Sequence, residues 1–210
     1  MNIGIIGSGN VGRALGKGWV RAGHKVKYGV RDAGKEEVVA LLKELGSAAT
    51  AGSVAEAAAF GEVVVLTVPF HAAEAAITTA GNLANKIVID CTNPVKADLS
   101  GLTIGHNISA AEQVAGWARG GRVVKCFNTT GAPNMLNPRY GDDRLVMFLA
   151  GDDTGAKKTV AKLAEEIGFE SIDAGAIAIA RLLEPVAMLW IHLAVHQKFG
   201  PNFGYKLVKR

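Results

Sequence analysis

The chain opens on a pattern suited to holding phosphate. Asn2-Ile3-Gly4-Ile5-Ile6 runs directly into Gly7-Ser8-Gly9-Asn10-Val11-Gly12. The spacing is Gly-x-Gly-x-x-Gly, and Val11, Ala14, Leu15, Trp19 and Val20 then recur at helical intervals. Strand, glycine turn and helix in that order are the setting in which this motif binds a dinucleotide. Gly7 allows the tight turn, Gly9 lets backbone approach a pyrophosphate, and Gly12 lets the helix pack close to the strand. Ser8, Asn10 and Val11 occupy the positions between them and belong to the same expected cofactor contact. The helix offers free N–H groups and the positive end of its dipole to the phosphates. The bland alternative is a glycine-rich turn that binds nothing.

The next strand, His24-Lys25-Val26-Lys27-Tyr28-Gly29-Val30, ends where an NAD site carries Asp or Glu for the ribose 2′-hydroxyl. Val30 stands at that position and Arg31 follows it. A guanidinium pairs with a 2′-phosphate through two parallel hydrogen bonds, and an acid would repel it. The pattern predicts NADP(H) over NAD(H), with Lys35 as a second phosphate partner. Two alternatives stay open. A register slip of two residues would make Asp32 the ribose acid, and Arg31 could be an ordinary solvated loop cation.

Other expected strand ends carry polar or turn-forming residues. Val68-Pro69-Phe70 can set an apolar ring against the nicotinamide end of a cofactor. Asn93 and Asn128 can supply donors and acceptors there, or serve only to hold turns. No side chain is assigned a catalytic role. His71 beside Phe70 is either an acceptor contact or a helix-end residue. His192 and His196 are four apart, but without the His-Glu-x-x-His pattern no metal is expected.

The elements that must position these groups alternate. Helices are predicted over 35–45, from a cap at Ser53, and over 72–80, 110–117, 154–167 and about 177–198. Strands are predicted over 47–50, 62–68, 86–90, 122–127, 144–150 and 169–173. Ser53 with Glu56 reads as a capping box, and Gly46 as a helix stop. Residues 128–143, rich in Gly, Pro and Asn, read as a loop. The alternation implies an α/β fold. The expected form is a Rossmann-type, doubly wound, mostly parallel sheet with a small C-terminal helical appendage. One NADP-binding domain would span 1–210, with about 176–210 as the helical segment.

Composition removes several classes of function. The 210 residues are 49% hydrophobic and 20% charged, which is globular. The net charge of +4 comes from scattered Lys and Arg, so nucleic acid is not an expected partner. Cys91 and Cys126 each follow an apolar run, lack metal-ligand spacing and are expected to be reduced. No secretory pattern precedes the first strand. The apolar stretch from Ala174 to Val195 is broken by Arg181, Glu184 and Pro185, so a buried or interfacial helix is expected and no membrane span. The expected location is cytoplasmic.

The residues also carry a family resemblance. Gly7 to Gly12, Gly29-Val30-Arg31 and Leu66 to Phe70 resemble the coenzyme F420-dependent NADP oxidoreductases, whose coenzyme is a deazaflavin. So do Ala150 to Asp153 with Lys157-Lys158, Asp173-Ala174-Gly175 and Arg181 to Glu184. The resemblance implies NADP along the strand ends and a deazaflavin stacked on the nicotinamide. It further implies a pocket closed partly by the C-terminal helix, and a homodimer joined through C-terminal elements. Archaeal members pair a Ser or Thr with the arginine, and Val30 stands in that place here. Phe127-Asn128-Thr129 is also similar to the cytosolic domain of the transmembrane ferric reductases, which pass electrons through a flavin. Three functions follow. The first is hydride exchange between NADP(H) and a small-molecule redox partner, F420 or FMN/FAD. The second is reduction of a small carbonyl or imine, or of a ferric-flavin substrate. The third is a non-catalytic NADP-binding redox sensor.

Overall fold

Continuous β-branched runs form the middle of the sheet because both of their faces are covered. The computed structural model describes residues 1–210. In it β1 (Asn2–Ile6), β4 (Val63–Leu66), β5 (Ile87–Asp90) and β6 (Arg122–Lys125) are central strands, and β2 (Lys25–Gly29) and β3 (Ala49–Gly52) lie outside β1. Alternate side chains divide between two cores. Ile3, Ile5, Val63, Val65, Ile87 and Ile89 enter one, and Ile6, Val64, Leu66 and Val88 enter the other. The first core is closed by α1 (Asn10–Arg21) and α7 (Thr154–Glu166) through Leu15, Trp19, Val160 and Leu163. The second is closed by α3 (Val54–Phe60), α4 (Ala73–Ala80) and α5 (Ala110–Trp117) through Ala58, Ile77 and Val114. This two-sided burial is what parallel strands require.

The six strands run in the order β3-β2-β1-β4-β5-β6, all parallel. That is the Rossmann order, and its direction reverses between β1 and β4, where ligands bind at the carboxyl ends. Two further strands extend the sheet beyond β6: β9 (Val146–Gly151) and β10 (Glu170–Gly175). β9 joins β6 antiparallel, pairing Lys125 with Ala150, and β10 runs parallel to β9.

Local departures from the sequence reading have local causes. Residues 128–143 are not a plain loop. They hold α6 (Ala132–Leu136) and a small hairpin of β7 (Arg139–Tyr140) and β8 (Asp143–Arg144). Pro133 sits in the first turn of α6, where its missing N–H costs nothing. The third strand lies later than 47–50, because Gly46–Ala48 forms a 3-10 turn and pairing with β2 sets Val26 opposite Ala49. The helix α2 (Glu36–Leu45) ends before Gly46, and Ser53 and Glu56 form the expected capping box.

The C-terminal segment is not one helix to Lys198. A 3-10 turn (Ile177–Ile179) leads into α8 (Ala180–Ile191), and His192–His196 is a π turn. Pro185 lies inside α8 and removes the N–H that would bond the Arg181 carbonyl. Beyond it an extended strap, 201–205, returns across the fold. Trp190 Nε1 donates to the Phe203 carbonyl at 2.9 Å, and Val146 N donates to that of Tyr205 at 2.9 Å. By length and composition Ile177–His196 could cross a bilayer. In the structure it carries two charged ties to the domain, Arg181–Glu112 and Glu184–Lys125.

The first of these ties is sensitive to pH. Arg181 Nε donates to Glu112 Oε2 at 2.9 Å, and Glu112 also caps α5 through Ser109. The Arg181 guanidinium and the Ser109 bonds hold the Glu112 carboxyl down at about 2, against an ordinary 4.5. A depressed carboxyl adds stability above its unfolded value and loses it as pH falls toward its folded one. Stability from this pair is therefore complete above about pH 4.5 and lost on the way to pH 2. Arg181→Ala is expected to lower the melting temperature slightly at neutral pH, and the deficit should close as pH falls from about 4.5 toward 2. A deficit equally large at both ends of that range, or none at neutral pH, in circular dichroism melts would refute the assignment.

Candidate cofactor groove

A groove runs over the carboxyl ends of β1, β2 and β4. Its larger part, about 800 Å³, is lined by Gly7, Ser8, Gly9, Asn10, Arg31 and Lys35 among others. A smaller part, about 310 Å³, is lined by Val11, Phe70, Cys91, Thr92 and Asn93. Gly9, Asn10, Val68 and Pro69 border both, so the two parts are continuous. Of the expected contacts, only Gly12 and Asn128 line neither part.

The glycine turn matches the geometry its sequence implies. Gly7 sits at φ +106°, where a side chain is strained. A Cβ on Gly12 would stand 2.3 Å from the Gly7 carbonyl oxygen, so that position tolerates only glycine. A Cβ on Gly9 would meet nothing within 4 Å and would project into open space. That is the room a pyrophosphate needs against bare backbone. Gly9 is also the N-cap of α1, with no side chain capping the helix and no acid in its first turn. The first N–H groups of α1 are left for an anion.

Two residues that sequence reasoning missed hold this turn. Arg13 Nε donates to the Ser8 carbonyl at 2.7 Å, and Arg13 itself lines the larger part. Thr67 Oγ1 donates within reach of two carbonyls, Ile6 at 2.9 Å and Gly7 at 3.1 Å. The signal for Arg13 was its place directly after the third glycine, on the first turn of α1. Thr67 stood at an expected strand end, but its bonds to the glycine turn carried no signal, because the partners are sixty residues away in sequence.

At the end of β2, Val30, Arg31, Asp32 and Lys35 all border the groove. Arg31 and Lys35 are exposed and make no ion pair, which leaves both cations free for a phosphate. Asp32 is not free. Its Oδ1 accepts from Gly34 N at 2.8 Å, closing an Asx turn within the loop.

At the other end, Asn93 and Asn128 are bound to each other. Asn93 Nδ2 donates to the Asn128 carbonyl at 2.9 Å, and Asn128 Nδ2 donates to Asn93 Oδ1 at 3.0 Å. Asn128 Nδ2 also reaches the Leu183 carbonyl on α8, at 3.2 Å. The residue before it, Phe127, is fully buried with φ +59°, a conformation rare for an aromatic residue. Strain of this sort persists only where the surroundings over-determine it. Here Phe127 N donates to Met147 Sδ and the ring packs edge-on against Trp19.

Behind this wall lies a buried charge cluster that the sequence did not announce. Lys125 Nζ is 2.9 Å from Asp90 Oδ2 and 3.0 Å from Glu184 Oε1, with all three side chains buried. Burial alone would pull the Lys125 amine down, but the Asp90 and Glu184 carboxylates outweigh it and hold the amine above its ordinary value. Glu184 also accepts from Ala110 N and Ala111 N, capping α5 from outside. One cluster thus fastens β5, β6, α5 and α8 together.

The smaller part of the groove offers no carboxylate, imidazole or amine. Its one titratable lining group is Cys91, whose thiol is pushed well up by burial and by the neighbouring Asp90 carboxylate. His71 borders only the larger part. His192 and His196 lie on the C-terminal turn with rings 5.5 Å apart, and no group of three metal-ligating side chains forms anywhere.

Comparison with known proteins agrees with this geometry. Residues 2–94 match the family described as NADP oxidoreductase, coenzyme F420-dependent. The chain is 31% identical to the F420-dependent NADP reductase of Methanothermobacter thermautotrophicus, over 99% of this chain and 94% of that one. A crystal structure from Arthrobacter sp. FB24, of a candidate F420-dependent NADP-reductase, superposes with a TM-score of 0.90 at 31% identity, covering both chains completely. The metalloreductase STEAP3 of Rattus norvegicus is 30% identical over 89% of this chain, which spans only 36% of that relative. The chain belongs to the coenzyme F420-dependent NADP oxidoreductase family, and is an NADP-dependent oxidoreductase.

Proposed function

We propose that the protein transfers hydride between NADP(H) and a ring-type acceptor, a deazaflavin such as coenzyme F420 or a flavin. One observation carries this reading: the pocket beside Pro69, Phe70 and Asn93 contains no side chain able to give or take a proton near neutral pH. Reduction of a carbonyl or imine needs a proton for the heteroatom. Hydride exchange with a fused-ring acceptor also takes up a proton, but on a ring nitrogen remote from the receiving atom, which solvent can supply; beside the nicotinamide it needs close stacking and exclusion of water, and the cofactors carry the chemistry.

In this reading, Gly7 to Gly12 and the start of α1 cradle the pyrophosphate. Arg31 and Lys35 hold the 2′-phosphate, and Val68, Pro69 and Phe70 form the apolar wall beside the nicotinamide. Asn93 and Asn128 fix the polar edge of that wall. Residues 1–210 act as one NADP-binding unit in the cytoplasm. A second copy of the chain covers the outward side of the C-terminal segment, where Leu182, Leu189 and Val195 are exposed. Sedimentation of the purified protein reads that dimer directly.

The activity test follows loss of reduced nicotinamide absorbance with F420, FMN and FAD offered in parallel. Turnover with F420 alone is the expected result. Turnover with FMN or FAD in its place moves the acceptor to a flavin. Rapid reduction of simple imines or ketones with none of the three would overturn the reading.

A further inference from the structure

The smaller part of the groove contains a polar atom that nothing in the protein satisfies. Thr92 lines that pocket, is 4% exposed, and has a buried Oγ1 without a hydrogen-bond partner. A buried hydroxyl left unpaired calls for an explanation. Poor placement of the residue is not one, because its backbone is held from both sides. Thr92 N donates to Asp90 Oδ1 at 2.9 Å, and its carbonyl accepts from Lys125 Nζ. The ion cluster thus fixes the main chain of Thr92 while leaving its side chain free.

The neighbouring residue supplies a complementary group. An asparagine amide has two N–H donors. Asn93 Nδ2 spends one on the Asn128 carbonyl, and its Oδ1 is taken by Asn128 Nδ2. One N–H of Asn93 is therefore uncommitted, on the residue that follows Thr92 and lines the same pocket. Asn128 Oδ1 is unpaired too, but Asn128 does not line the pocket.

One donor next to one group that can accept is the complement of a primary carboxamide, which has one carbonyl oxygen and one NH₂. We propose that Thr92 and Asn93 grip the nicotinamide carboxamide. Asn93 N–H donates to the carboxamide oxygen, and Thr92 Oγ1 accepts from its NH₂. Thr92 is then a positioning residue that sets the rotation of the nicotinamide and so the face presented to the acceptor. This rests on the NADP(H) placement proposed above.

The test compares three probes by equilibrium binding: NADPH, its reduced 3-acetylpyridine analogue, and 2′,5′-ADP. The acetyl analogue keeps the carbonyl and lacks the NH₂, and 2′,5′-ADP lacks the nicotinamide altogether. The wild-type protein is expected to favour NADPH over the acetyl analogue by about five- to tenfold, the size of one hydrogen bond. Thr92→Val keeps the side-chain shape and removes the hydroxyl. It should abolish that preference while binding 2′,5′-ADP as before. Thr92→Ser keeps the hydroxyl and should keep the preference, whereas a purely structural role would move all three probes together. If Thr92→Val retains the preference, or weakens 2′,5′-ADP as much as NADPH, the carboxamide grip is refuted. If the wild-type protein binds neither NADPH nor 2′,5′-ADP, the placement of NADP(H) in the groove fails instead.

Discussion

Lys125→Met is expected to destabilise the fold by about 3–5 kcal/mol, the range for removing one partner of a buried ion pair. The substitution leaves the Asp90 and Glu184 carboxylates buried around an apolar side chain, with no cation between them. It also orphans the Thr92 carbonyl, which Lys125 Nζ now serves. For a chain of this length, each kcal/mol moves the melting temperature by about 2–4 °C, so a fall of roughly 6–20 °C is expected. Lys125→Arg is not a rescue, because the planar guanidinium does not fit a site shaped for a compact ammonium. Urea unfolding of the two variants against the wild type measures the effect. A loss below about 1 kcal/mol would mean that the carboxylates are neutralised some other way and that the cluster is not the clasp described here.

The second large effect concerns coenzyme choice. Arg31→Ala is expected to weaken NADPH by about 30- to 100-fold, the equivalent of two charge-assisted hydrogen bonds at a solvent-facing site. NADH, which lacks the 2′-phosphate, should bind as it did before. The preference for NADPH should also decline with added salt in the wild type, since Arg31 and Lys35 are both exposed. The comparison of the two coenzymes is the informative part. Equal weakening of NADPH and NADH would show that Arg31 shapes the loop and does not read the phosphate. The Asx turn closed by Asp32 and Gly34 argues that the loop keeps its form without the guanidinium.

The two effects lie at opposite ends of one groove and arise from different kinds of information. Arg31 was legible as a candidate because the end of the second strand lies at a set distance from the glycine turn, where the residue type bears on the ribose. The glycines were legible for a similar reason: each answers a local steric demand, seen in the φ of Gly7 and the 2.3 Å approach at Gly12. Strand and helix order followed from apolar periodicity, and so did the α/β class. The family resemblance rested on these same stretches.

What the sequence could not disclose is built from contacts between distant segments. Lys125 looked like the end of an ordinary strand. Only the folding of α8 back onto the sheet brings Glu184 to it, and only the β5–β6 register sets Asp90 opposite it. The free hydroxyl of Thr92 was invisible for the same reason, since being unpaired is a property of the whole surroundings and not of the residue. The antiparallel entry of β9, the helix over Ala132–Leu136 and the strap 201–205 were also outside the reach of the sequence. The sequence by itself determined the class of fold, the glycine turn and the place of Arg31 at the end of β2, because short-range sterics and periodicity dictate those. The tertiary structure alone decided the far wall of the groove, because there the hydrogen-bond partners are separated by tens of residues along the chain.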